Sequence, residues 1–157
     1  MSDEILKWHV DARGLKFAVV VARFNSGVTE KLLEGAREAL TKAGASGITE
    51  FSVPGAFELP LAAQKLAKAY DAIIALGAVI RGETPHFDYV AGAAANGLQQ
   101  VALETGTPLS FGVLTTNTLA EAEARAGGKH GNKGYDAAMT AIEMAQFCKA
   151  PGKALGK

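Results

Sequence analysis

Residues 72–90, AIIALGAVIRGETPHFDYV, constrain this chain more than any other stretch, because a buried strand passes there through a polar loop straight into a helix. Residues 72–80 are apolar apart from Gly77, and the β-branched Ile73, Ile74, Val79 and Ile80 read as a strand covered on both faces. The pattern breaks at Arg81, and Gly82, Glu83 and Thr84 then precede Pro85, a residue tolerated in the first turn of a helix. Phe87, Val90, Ala94, Leu98 and Val101 follow at helical spacing. Backbone N–H groups around Gly82 to His86 are therefore expected to lack partners at the positive end of that helix, where a phosphate would fit.

Similar units lie on either side. Residues 15–22 (LKFAVVVA) form a first strand running into Arg23, Phe24, Asn25, Ser26 and Gly27, with Asn25 or Ser26 as helix N-cap. The next helix carries Val28, Leu32, Ala36, Leu40 and Ala43 and stops at Gly44. Residues 48–53 are a shorter strand ending at Pro54 and Gly55, before a helix with Leu59, Ala62, Leu66 and Ala69 inward. The helix after the central strand holds Gly92, Ala93, Ala94, Ala95 and Gly97, small enough for another element to approach closely. Residues 109–115 give a fourth strand, and Thr118 with Glu121 forms a capping box opening a short helix. The glycine-rich connector GGKHGNKG leads to a last helix with Ala138, Ile142 and Ala145 inward. Residues 1–14 fit an edge strand, a disordered tail or an arm on a neighbouring subunit, and 151–157 a frayed tail.

Four apolar strands alternating with helices predict one α/β domain over 1–157: a three-layer α/β/α sandwich on a four-stranded parallel sheet, flavodoxin-like in class. Ligands of such sheets bind beyond the carboxyl ends of the strands, so the four post-strand loops should gather on one edge. Composition narrows the partners. Sixteen basic residues balance sixteen acidic ones with no basic stripe, which argues against nucleic acid. The longest apolar run is about half the ~20 residues a bilayer requires, and the start lacks a signal-peptide pattern, so a cytoplasmic, membrane-free protein is expected. Cys148, the single cysteine, is read as a packed small hydrophobe without a role.

On the expected edge, His86 can exchange protons near neutral pH, or simply hydrogen-bond within a helix first turn. Glu83 and Asp88 are local partners or acids favoured by the helix dipole. Arg125 can grip an anion with its planar fork, or pair with Glu121 four residues earlier. Lys133 lies in a glycine-flanked turn, fixed or solvated. Phe24 can stack on a planar ring or staple the first helix. Walker, G-x-G-x-x-G and G-x-S-x-G patterns are absent, and His9, His86 and His130 have no metal-ligand spacing. The loop ARFNSG also lacks the hydroxyl-rich phosphate loop of flavodoxins.

The segments VVARFN, VPGAFELP, GAVIRGETPHFDYV, FGVLTTNTLAEAEARAG and GNKGYDAAMTAIEM, in this order and spacing, resemble the 6,7-dimethyl-8-ribityllumazine synthase family from about Leu15 to Phe147. The resemblance implies condensation of 5-amino-6-(D-ribitylamino)uracil with 3,4-dihydroxy-2-butanone 4-phosphate, without metal or organic cofactor. It implies that Phe24 stacks on the pyrimidine, Ala56, Phe57 and Glu58 hold the ribityl chain, and the backbone of Ala78, Val79 and Ile80 binds the pyrimidine. Gly82, Glu83 and Thr84 match the phosphate-side loop, His86 the proton-transfer residue, Arg125 the phosphate-binding arginine and Lys133 a lysine near the substrates. Phe111 matches a residue supplied by the adjacent subunit. Family members form pentamers, some assembling into sixty-subunit icosahedral shells, with riboflavin synthase a candidate partner. The short connector without an insertion is similar to the shell-forming branch. Gly128, where many members have threonine, and the variable Ser26 depart from the pattern outside these roles. A non-catalytic shell or flavin-binding paralogue, and a generic flavodoxin-like nucleotide module, are the rival readings.

Overall fold

The structure, a computed structural model, describes residue 8 and residues 10–151. Strands β1 (Lys16–Ala22), β2 (Gly47–Val53), β3 (Ala72–Ile80) and β4 (Leu109–Thr116) form one parallel sheet in the order β2-β1-β3-β4. Helices α1 (Ser26–Lys42), α2 (Leu59–Leu66), α3 (His86–Thr105), α4 (Leu119–Ala124) and α5 (Lys133–Lys149) complete the alternation. The central strand explains the three layers, since eight of the nine residues of β3 are buried and successive side chains face opposite ways. Ala72, Ile74, Leu76 and Ala78 join the core beneath α1 and α5, whereas Ile73, Ala75 and Val79 join the core beneath α2 and α3.

Two glycines set how closely these layers pack. A Cβ on Gly134 would fall on the backbone of Leu32, so α1 and α5 cross with their main chains in contact. A Cβ on Gly97 would lie 2.8 Å from Pro60 Cγ, bringing α2 against α3 as the small-residue stripe predicts. The buried face of α5 contains Ala138, Ile142 and Ala145, as expected.

Several expectations are corrected. The inner face of α2 is Leu59, Ala63 and Ala67, with Ala62 and Leu66 half-buried, and Ala69 is exposed because the helix ends at Leu66. The glycine-rich connector is an antiparallel hairpin, β5 (Ala126–Gly128) with β6 (Gly131–Asn132), whose turn uses the positive φ of Gly131. Cys148 is exposed rather than packed, lining an open groove of about 330 Å³ between α3 and α5 beside the start of β4.

The described part of the N-terminal segment lies on its own chain. Ala12 is buried and donates its N–H to Ala43 O at 2.9 Å, and Gln146 Nε2 donates to Asp11 O at 2.6 Å. Trp8 donates Nε1–H to Ala150 O at 3.0 Å, its ring set edge-on to Phe147 at 4.8 Å. Residues 1–7 and 9, on which the expectation of an added strand mostly rests, and residues 152–157 of the tail lie outside the described residues. Among the described residues no helix is long and apolar enough to cross a membrane.

Candidate active site

Beyond the sheet's carboxyl edge, β1 and β3 part company. Their pairing ends at Val21 and Leu76, while β1 stays with β2 through Arg23 N–H to Val53 O at 2.8 Å and Phe24 N–H to Pro54 O at 3.0 Å. On the other side β3 follows β4 to Ile80 and Thr116, and Arg81 N–H adds a further bond to Thr116 O at 2.9 Å. A crevice opens at this switch point, where open parallel sheets bind ligands.

The crevice holds a cavity of about 470 Å³. Of the residues expected at the site, Phe24, Ala56, Phe57, Glu58, Ala78, Val79, Ile80, Gly82, Thr84 and His86 line it, together with Pro54, Gly55, Phe87 and Val90. Phe24 and Phe57 are 72% and 62% exposed, which leaves two aromatic faces open to a planar guest. Ala56 and Glu58 are set by a single 3₁₀ turn, Ala56–Glu58, at the exit of β2. Ala78, Val79 and Ile80 line the cavity from the end of β3.

The loop after β3 meets the expectation of a free helix end in part. The backbone N–H groups of Gly82, Glu83 and Thr84 have no acceptor among the described residues. His86, the first residue of α3, has its N–H 3.4 Å from Thr84 Oγ1, a long contact, and Pro85 occupies the cap position with no donor to offer. Glu83 shares the loop but does not line the cavity.

Sequence reasoning did not single out Arg81. Its Nε donates to Asn117 Oδ1 at 2.9 Å, its guanidinium lies 4.4 Å over the Phe87 ring, and its Nη2 is 3.6 Å from Asp88 Oδ1. One side chain thus ties the loops after β3 and β4 to the first turn of α3, where Asp88 is the acid of that turn as well as the neighbour of Arg81. A cation at the exit of a buried strand, six residues before an aromatic, was the available signal.

Phe111, Arg125 and Lys133 do not line this cavity. Phe111 lies on β4 opposite Ala75, well before the strand's carboxyl end, and is 46% exposed. Thr118 Oγ1 caps α4 by accepting Glu121 N–H at 3.1 Å, while the Glu121 carboxylate accepts Asn117 N–H at 3.0 Å rather than that of Thr118 itself. Arg125 does not make the side-chain pair with Glu121 that spacing allows. Its Nη1 donates to Glu121 O at 2.9 Å, because carbonyls at a helix end lack partners. Lys133 opens α5 with its ammonium 3.9 Å from Asp136, and its N–H donates to Arg125 O at 2.9 Å, so the two basic residues are neighbours at the hairpin base.

A parallel α/β sheet with a cavity at its switch point, rimmed by two aromatic rings, a histidine and free backbone N–H groups, defines a small-molecule-binding protein of flavodoxin-like architecture. Residues 14–149 match the sequence model of 6,7-dimethyl-8-ribityllumazine synthase, and the chain belongs to that family. A protein of Syntrophus aciditrophicus (strain SB) described as 6,7-dimethyl-8-ribityllumazine synthase is 54% identical over 142 residues, covering 88% of this chain and 92% of its own length. The chain is an enzyme of the transferase class, acting in riboflavin biosynthesis.

Proposed function

We propose that the crevice between β1 and β3 is where this enzyme condenses 5-amino-6-(D-ribitylamino)uracil with 3,4-dihydroxy-2-butanone 4-phosphate to give 6,7-dimethyl-8-ribityllumazine, phosphate and water. One observation carries the placement: ten residues drawn from the exits of β1, β2 and β3 line a single cavity sized for a small molecule. Phe24 stacks on the pyrimidine, whose polar edge meets the backbone of Ala78, Val79 and Ile80. Ala56, Phe57 and Glu58 hold the ribityl chain. Gly82, Glu83 and Thr84 face the phosphate with their unpartnered N–H groups.

The chemistry asks for two condensations and the departure of phosphate, each with proton movement. Holding both reactants in register supplies the largest share, roughly 7–11 kcal/mol in well-oriented cases. His86 adds about 10²-fold to 10⁴-fold by accepting and returning protons. Arg125 and Lys133, together at the hairpin base and away from this cavity, serve the phosphate and the substrates from a neighbouring copy, as does Phe111. The chain accordingly works in the cytoplasm as a homo-oligomer, a pentamer that assembles into a sixty-subunit shell, with riboflavin synthase as a candidate partner. Exposed apolar side chains at Leu103, Phe111 and Met144 support an assembly that covers them.

Absorbance in the lumazine band, followed after mixing purified protein with both substrates, tests the reading. His86→Ala is expected to slow turnover about 10²-fold or more without abolishing it. Arg125→Ala is expected to raise KM for the phosphorylated ketone while sparing that of the pyrimidine. Wild-type kinetics in both variants would remove these roles.

A further inference from the structure

Asn25 stands out twice. It is the single non-glycine residue with positive φ among the described residues, at φ 63° and ψ 45°. It also precedes the first residue of α1, where an asparagine side chain normally accepts a backbone N–H of the first turn, and it makes no such bond. Its Nδ2 instead donates to the carbonyl of Ala78 at 2.8 Å, fifty-three residues away.

The location of that bond gives it meaning. The β1–β3 ladder ends at Val21 and Leu76, so Ala78 O lies beyond the last paired position, where the strands have begun to part. The Asn25 amide supplies a cross-strand bond there in place of a ladder bond. Its backbone neighbour Phe24 and its acceptor Ala78 both line the cavity, whereas Asn25 does not. A left-handed backbone and a forgone helix cap are local costs, and such costs persist where the surroundings over-determine the geometry. Asparagine tolerates this backbone better than other non-glycine residues and carries the donor that glycine lacks.

We propose that Asn25 is a positioning residue, fixing the spacing between the Phe24 ring and the Ala78–Ile80 strand end and so the slot that receives the pyrimidine. The inference rests on the assignment of the crevice to that substrate. It acts on recognition of the pyrimidine, not on the phosphate loop or on His86.

Two variants separate the bond from the backbone. Asn25→Gly keeps the left-handed conformation at no steric cost and removes the donor, and Asn25→Asp keeps the side-chain shape but turns an oxygen toward the Ala78 carbonyl. In steady-state kinetics on the assembled protein, Asn25→Gly is expected to raise KM for the ribitylaminouracil about tenfold and Asn25→Asp more, with KM for the ketone phosphate within twofold of wild type. Wild-type pyrimidine KM in both variants, or an equal rise in both substrates' KM, overturns the proposal. Phe24→Ala, measured in parallel, distinguishes the two levels. If it raises pyrimidine KM while the Asn25 variants do not, the site stands and the positioning role falls; if it too leaves pyrimidine KM unchanged, the site assignment and this inference fall together.

Discussion

The helix layers on the two faces of the sheet are built differently. On one face, α1 and α5 are buried along most of their length, from Val28 to Leu40 and from Gly134 to Ala145, and cross in main-chain contact at Gly134. On the other, α3 buries only Ala94, Leu98 and Val101, leaving its first two turns with half-buried Phe87 and Val90 over the cavity. Interiors are close-packed, so a cavity exists where packing has been left incomplete. One face therefore holds the fold while the other leaves room for a guest.

The sharpest way to break this contrast is Gly134→Ala. The added Cβ meets the Leu32 backbone, which has no rotamer by which to yield, and the expected cost is about 3 kcal/mol or more. A thermal melt retaining wild-type stability would mean that the α1–α5 crossing is looser than described.

Paired truncations sharpen it next. Ile142, fully buried on the inner face of α5, is expected to cost about 2–5 kcal/mol as Ile142→Ala, whereas Val90→Ala should cost under about 1 kcal/mol. Denaturant titration measures both. The order should invert for substrate KM, because Val90 lines the cavity and Ile142 does not.

The smallest expected effect lies outside the α1–α5 crossing. Arg37 on α1 grips Glu50 on the edge strand β2 with a two-pronged contact, one prong at 2.6 Å, and hydrogen bonding from that guanidinium holds the Glu50 carboxyl below its ordinary range. A carboxylate with a depressed folded-state pKa stabilises above its unfolded pKa, near 4.3, and loses that contribution as pH falls through the lower folded value. Because both side chains are a third or more exposed, solvent screening limits the pair to about 0.5 kcal/mol. Between pH 7 and pH 3, Glu50→Gln should therefore lose about 1–2 °C less in Tm than the wild type.

How much of this was legible follows from what each residue answers to. Strands and helices announced themselves because Ile73, Ile74, Leu32 and Ile142 respond to burial, which leaves a period in the sequence. The edge on which the loops gather followed from topology alone. Asn25 takes the N-cap position that its residue type argues for, but its side chain forgoes the capping bond, because its bond to Ala78 depends on where another strand ends. Arg81 reads in the sequence only as the break after the strand, with no role, its partners Asn117 and Asp88 being brought together only by the fold. In Arg125 the spacing to Glu121 suggested a pair of side chains, and the unpaired carbonyls of a short helix end took the donor instead. The hairpin at GGKHGNKG left no apolar alternation to read, since six of its eight residues are glycine or lysine and the other two are His130 and Asn132.

The contact of Trp8 with Phe147 and Ala150 has an optical consequence. The chain contains one tryptophan, and it bridges points 142 residues apart. Its indole is partly shielded while Trp8 lies against Phe147 and Ala150, so the emission colour of this protein reports that contact rather than the sheet. Any event that draws Trp8 away from the last turn of α5 would redden the emitted light with the core still intact.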